Sequence, residues 1–467
     1  METAFLFIFV FGFLFLGVPI AVSLGLSAVL YIALFSHDSM SSVAVQLFNA
    51  SQNFTLLAIP FFILASSFMS TGGVARRIIR FSIDAVGWIR GGLAIAAVFA
   101  CMLFAALSGS SPATVVAIGT IAIAGMRQAG YTKEFAAGVI ANAGTLGILI
   151  PPSIVMVVYA AATNVSVGRM FFAGVVPGII AGLMLMTAIY IMARVKKLPA
   201  QPWAGWKELW SSVSQAAVGL FLMVIILGGI YGGIFTPTEA AAVAAVYACL
   251  IALFVYRDMG PLAGVGWVEE KDGALGLAGF KTITYAVVAV FVWSGLASIF
   301  TERAAFFGID SAIVLLAALA GYPILRHGLA PADLPATYAV GGKVWGRNLG
   351  MIGWKFLPAL FHKDTKKVLT DSSKTTIMLM FIIVNALLFA HTLTAEQIPQ
   401  FITDWMVEAG FNWFTFLIAV NIILLIGGQF MEPSGLLLIV APVVFPIGLE
   451  LGVDPIHLGI RSEEPHV

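Results

Sequence analysis

Two carboxylates interrupt long apolar runs of this chain: Glu239 in Thr236-Pro237-Thr238-Glu239, and Glu432 in Met431-Glu432-Pro433-Ser434-Gly435. A charge at membrane depth is expensive, so each reads by default as a cation or proton site. Each also stands where an acidic side chain caps a helix N-terminus, and both readings stay open. The second kind of chemistry is carried by backbone. Ser108-Gly109-Ser110-Ser111-Pro112 interrupts one apolar stretch, and Asn142-Ala143-Gly144-Thr145-Leu146-Gly147-Ile148-Leu149-Ile150-Pro151-Pro152 lies in the middle of another. Pro151 and Pro152 lack amide donors and disfavour the helix before them, while Gly144 and Gly147 permit unwinding. Freed carbonyls there, with Asn142 and Thr145, would coordinate Na⁺, since hard cations prefer oxygen ligands. The sodium candidates are therefore Ser110, Asn142, Gly144, Thr145 and Glu432. Positive half-helix ends at Ser110, Ser111 and Pro152 would face an anionic substrate. A simple proline kink is the alternative for 142–152.

The elements that must hold these groups are membrane helices. The chain of 467 residues is 60% hydrophobic and only 10% charged, with a mean hydropathy of +1.02. Soluble proteins carry about 25% charged residues, so the deficit excludes a water-facing surface of ordinary size. Apolar runs of about 20 residues span a bilayer as helices. The runs are continuous rather than alternating, which excludes a β-barrel. The run from Ala4 to Phe35 lacks a basic start and is too long for a signal peptide, so it reads as a retained span.

Lys and Arg counts set the orientation. Residues 36–53 contain neither, which places them outside, whereas Arg76, Arg77, Arg80 and Arg90 lie inside, the first three anchoring an amphipathic arm. The stretch over about 93–124 is flanked on both sides by basic residues and broken at Ser108–Pro112. It reads as a hairpin entering and leaving on the inner side. Residues 134–163 form a broken span, 170–193 return, 199–212 read as an interfacial helix with Trp203, Trp206 and Trp210, and 214–232 and 236–256 cross again. Residues 375–393 cross outward, and the stretch over about 414–449, broken near Glu432, has no basic flank and enters from outside. Two hairpins of opposite sidedness predict an inverted repeat: 1–197 as the first, 198–235 as the link, 236–460 as the second with an insertion at 258–374, and 461–467 as a polar tail.

Other chemistries find no support. There is no Walker motif, G-x-S-x-G or H-E-x-x-H, so ATP-driven transport and the common hydrolases are not indicated, and the chain does not read as an enzyme. Six histidines make no metal pattern, Cys101 and Cys249 read as small core hydrophobes, and a net charge of +1 does not suggest nucleic acid.

Taken together, six segments resemble the large membrane subunit of the TRAP transporters, the DctM type. They are Leu16–Ala21, Ile59–Ala65, Ser108–Thr114, Gly147–Ser153, Gly233–Ala242 and Met431–Gly435, and the resemblance covers about 1–257 and 375–460. It implies an all-α polytopic, inverted-repeat fold of the ion-transporter type working as an elevator in the bacterial inner membrane. It also implies Na⁺ as coupling ion, no other cofactor, and carboxylate substrates such as C4-dicarboxylates. A periplasmic substrate-binding protein and a small four-helix membrane subunit are the implied partners. The family's ion and substrate sites map onto Ser108, Gly109, Ser110, Ser111, Pro112, Asn142, Gly144, Thr145, Gly147, Pro151, Pro152, Glu432, Pro433, Ser434 and Gly435, and Thr236 and Glu239 join the candidates from the residue reading alone. One departure is expected to matter. In the family a second Pro-Pro span follows the second hairpin, whereas here Asp454–Ile460 leads into Arg461–Val467. This suggests a C-terminal truncation or frameshift, and with it the alternative that the chain is a transport-incompetent scaffold partner.

Overall fold

A computed structural model describes residues 3–35, 40–301, 309–327, 331–428 and 433–463, and every regular element among them is helical. Lipid offers backbone groups no partner, so spanning segments must satisfy their own hydrogen bonds. Among the described residues six helices are long and apolar enough to cross a membrane, or seven if one bent pair counts as a span.

The chain divides into two compact units, one of residues 1–256 with 366–467 and the other of residues 257–365. The first unit opens with α1 (Thr3–Phe15) and α2 (Ile20–Leu34), which pack on each other. The run from Ala4 to Phe35 is therefore not one continuous span. Gly17 adopts a left-handed conformation (φ 80°), and Pro19 has no amide to extend the first helix. Next come α3 (Met40–Ser51), α4 (Ala58–Thr71) and the strongly amphipathic α5 (Val74–Val86), which buries Val74, Ile78 and Ile79. Arg77 of α5 lies 3.8 Å from the centre of the Tyr256 ring, and Arg80 pairs with Glu208 at 3.1 Å.

The stretch over 93–124 divides into α6 (Gly92–Ser108) and α7 (Ser111–Gln128), joined by two residues. At 17 and 18 residues, each arm falls short of the roughly 20 that a full crossing needs. Both pack against α8 (Lys133–Leu149), and α9 (Ile154–Thr163) continues from α8 at a 41° bend. Long α10 (Val167–Val195) follows. Then α11 (Trp206–Met223) runs through a π turn into α12 (Gly229–Tyr231) as one span. The separate interfacial helix expected over 199–212 is not formed. No breaker lies between Ser212 and Ser214, so the tryptophan-bearing turns continue into the membrane helix. α13 (Pro237–Leu250) packs on α4.

In the second unit α14 (Gly273–Thr301) packs against α15 (Ile309–His327) and α16 (Leu334–Leu360). Gly279 and Gly341 allow the backbones of α14 and α16 to touch; a Cβ on Gly341 would stand 2.7 Å from the Gly279 Cα. Arg347 bridges Asp272 at 2.6 Å and Glu269 at 3.3 Å, and the Asp272 carboxylate holds the guanidinium above its ordinary range.

The first unit resumes within α17 (Lys363–Ala395) and continues with α18 (Ile398–Glu408), α19 (Trp413–Gly428), α20 (Pro433–Glu450) and α21 (Pro455–Glu463), which takes in the start of the expected polar tail. Phe416, Leu424, Leu436 and Leu458 share one apolar core across α19, α20 and α21. α20 lies along α9, with the Phe445 ring edge-on to Tyr159, and Tyr159 Oη donates to the Pro455 carbonyl at 2.9 Å.

Candidate functional site

The hairpin break and the span break meet. Gly109 caps α6 in the left-handed region (φ 61°), and its carbonyl accepts the Ile154 amide, the first of α9, at 3.1 Å. A Cβ on Gly109 would overlap the Pro152 carbonyl oxygen. On the other side of the tip, a Cβ on Gly147 would stand 2.9 Å from the Ser110 carbonyl carbon and oxygen. One on Gly144 would overlap the Val115 side chain. Glycine at 109 and 147 thus lets two backbones approach, Gly144 makes room for the Val115 side chain, and that approach positions the site.

A hydroxyl network ties the tip internally. Ser108 Oγ and Thr114 Oγ1 are 2.9 Å apart, both residues are buried, and Thr114 Oγ1 donates to the Ser110 carbonyl at 2.9 Å. Ser153, fully buried between Pro152 and α9, caps α9 by accepting the Met156 amide at 3.3 Å. Ser111 differs from these. Its Oγ is buried and, among the described residues, has no hydrogen-bond partner. A buried, unpaired hydroxyl costs about 1–3 kcal/mol, and this one lies at the junction of the N-termini of α7 and α9. No cluster of three His, Cys, Asp or Glu occurs among the described residues. The donors at the junction are hydroxyl and carbonyl oxygens, a set that fits a hard monovalent cation or the hydrated edge of an anion.

Not all sequence candidates converge there. The stretch from Asn142 to Leu149 is not unwound: α8 runs unbroken through it, and only residues 150–153 leave the helix. The side chain of Asn142 is exposed and donates to the Gly138 carbonyl at 2.8 Å, and Thr145 Oγ1 donates to the Asn142 carbonyl at 2.7 Å. Gly144 and Gly147 act by close packing rather than by unwinding. Pro151 and Pro152 are buried in the break, joined by a cis peptide bond, and Pro112 in the first turn of α7 is exposed.

Thr236 and Glu239 form a reciprocal cap at the start of α13. Thr236 N donates to Glu239 Oε2 at 2.8 Å, and Glu239 N donates to Thr236 Oγ1 at 3.3 Å. Glu239 is exposed, and the capping reading accounts for its bonds. Replacing Thr236 with alanine should therefore cost about 1 kcal/mol of stability and leave solute uptake intact, measured by thermal melting beside a vesicle uptake assay. At the second tip Glu432 lies outside the described residues, as do the side chains of Pro433 and Ser434. Gly435 is buried, and a Cβ there would stand 3.5 Å from Ile20 at the start of α2. The sequence reading missed Thr114 and Ser153 as supports. The signal for Ser153 was present: a serine between Pro-Pro and an apolar run is an N-cap pattern.

The family model described as "Tripartite ATP-independent periplasmic transporter, DctM component" matches residues 7–299 and 270–461. The chain belongs to the DctM family. A relative from Vibrio cholerae named "C4-dicarboxylate TRAP transporter large permease protein DctM" is 57% identical over 98% of this DctM-family chain and 84% of its own length. One of the same name from Pseudomonas aeruginosa is 52% identical over the same shares. A "Sialic acid TRAP transporter large permease protein SiaM" from Vibrio cholerae is 27% identical over 94% of this chain and 79% of its own length. This coverage does not support the expected C-terminal truncation. The DctM-family chain is a multi-pass membrane component of a transporter, and its family is one of transporter permeases.

Proposed function

We propose that this permease carries C4-dicarboxylates across the bacterial inner membrane, driven by Na⁺ entry, as the large subunit of a binding-protein-dependent system. The observation that carries the reading is the interlock of Gly109–Ser111 with Ile150–Ile154, with the unpaired Ser111 hydroxyl at its centre. Irregular backbone at membrane depth is tolerated where it lines a cavity or is buried in protein, and broken half-helices are the usual site-builders of secondary transporters. Ser110, Ser111 and the carbonyls of the break would hold the ion. The positive ends of α7 and α9 favour a carboxylate nearby.

The 57% and 52% identities to permeases named for C4-dicarboxylates favour that substrate class over the sialic acid of the more distant relative. The two hairpins, α6–α7 and α19–α20, are the mobile elements of an inverted-repeat elevator in this reading. A soluble periplasmic protein delivers the substrate, and a small four-helix subunit pairs with the permease. The test is succinate uptake into proteoliposomes holding both membrane subunits. Uptake should require an inward Na⁺ gradient and the cognate binding protein. Uptake that persists without either one overturns the proposal.

A further inference from the structure

We infer that the first unit holds a second dicarboxylate station on its outer face, a pocket of about 470 Å³ at the end of α9 remote from the break. The inference rests on the transport reading above. α9 has ten residues, so at 1.5 Å per residue the pocket lies about 15 Å from the hairpin junction.

Its walls identify the side of the membrane. Gln46, Asn49 and Asn53 come from α3 and the turn after it, Asn164 from the end of α9, and His391 and Thr394 from the end of α17. Residues 36–53 and residues 394–411 carry no Lys or Arg. Segments free of Lys and Arg face outward, the side from which a binding protein would deliver substrate.

The lining also identifies the ligand. Amide, hydroxyl and imidazole groups converge from three separate walls, and no Asp or Glu lines the pocket, so nothing there repels a carboxylate. Asn53 is held in place, its Oδ1 accepting the Thr55 amide at 3.0 Å. Asn164 adopts the left-handed conformation that ends α9 (φ 57°). The side-chain amides of Gln46 and Asn49 on α3 and of Asn164 at the end of α9 suit a small molecule with an acceptor group at each end. No Lys or Arg is present to hold a dianion tightly, so binding is weak and release is easy, as a transit station requires. Pro442 and Phe445 of α20 close the apolar side. The pocket thus abuts both α9, which leads to the first hairpin's tip, and α20, which leads to the second.

The experiment replaces Cys101 and Cys249 with alanine and places an environment-sensitive fluorophore on Ser51→Cys, an exposed position next to the pocket-lining Ala50. The full chain, with its small subunit in nanodiscs, is titrated with succinate and with neutral succinamide. The expected result is a saturable response to succinate, at least fivefold weaker for succinamide and in His391→Ala and Asn164→Ala. The response should survive Ser111→Trp, which obstructs the hairpin tip. A flat titration, equal responses to the two compounds, or loss of the response in Ser111→Trp overturns the inference. A silent probe in a permease that takes up succinate removes the pocket and leaves the transport reading. A saturable response in one that takes up none removes the transport reading and keeps the pocket.

Discussion

Gly147→Ala is expected to cut Na⁺-driven succinate uptake at least about tenfold, while Gly138→Ala on the same helix leaves it at the wild-type level. Both glycines lie within α8, so alanine suits the local backbone at either position and removes glycine's entropic cost of about 0.5–1 kcal/mol. What differs is the space around them. Nothing lies within 4 Å of a Cβ on Gly138, whereas one on Gly147 meets the Ser110 backbone at 2.9 Å. Backbone cannot swing aside as a flexible side chain can, so the tip must move away from the break. Overpacking of this kind costs about 1–3 kcal/mol, and about 1.4 kcal/mol is a factor of ten in the population of the correctly seated tip. Uptake per inserted chain, with membrane yield and elution profile as folding controls, decides the matter. Equal uptake by the two variants would show that the contact between tip and helix has no part in transport.

The contrast between these glycines also shows where the sequence was legible and where it was not. Breaks were readable because serine, glycine and proline clusters inside apolar runs have few other uses. The first hairpin's break was expected over Ser108–Pro112 and falls at Gly109–Ser110. The extent of the second break was not readable. Gly144 and Gly147 satisfy equally a chain that unwinds and a helix that another backbone touches, and only the partner's position separates the two. The same ambiguity attached to Glu239. A Thr-Pro-Thr-Glu sequence is both an acid at membrane depth and a capping box, and the hydrogen bonds with Thr236 support the second reading. Asn142 and Thr145 were chosen because their oxygens suit a cation. On an intact helix such side chains turn back to their own carbonyls, as both do here. The distinctive feature of Ser111 is likewise invisible in sequence. Ser108, Ser110 and Ser111 are chemically alike as letters, but the Ser108 hydroxyl is bonded within the tip and that of Ser111 is not.

That difference leads to the second large effect. Ser111→Ala is expected to leave the ligand-free permease as stable as the wild type or more so, and to remove most of the stabilisation that Na⁺ confers. A buried hydroxyl without a partner costs about 1–3 kcal/mol in the empty protein, and alanine relieves that cost while filling nearly the same space. An ion that binds only the folded state stabilises it by about 2.7 kcal/mol at one hundred times its dissociation constant. Losing one oxygen ligand raises that constant, and a tenfold rise forfeits about 1.4 kcal/mol. Melting curves in sodium chloride and in equimolar choline chloride separate the two effects. The wild type should melt higher in sodium than in choline. The variant should match or exceed the wild type in choline and gain much less in sodium. An undiminished sodium gain in Ser111→Ala would remove this hydroxyl from the ion site, and a marked loss of stability in choline would make it a structural group of the tip, like Ser108 and Thr114 beside it.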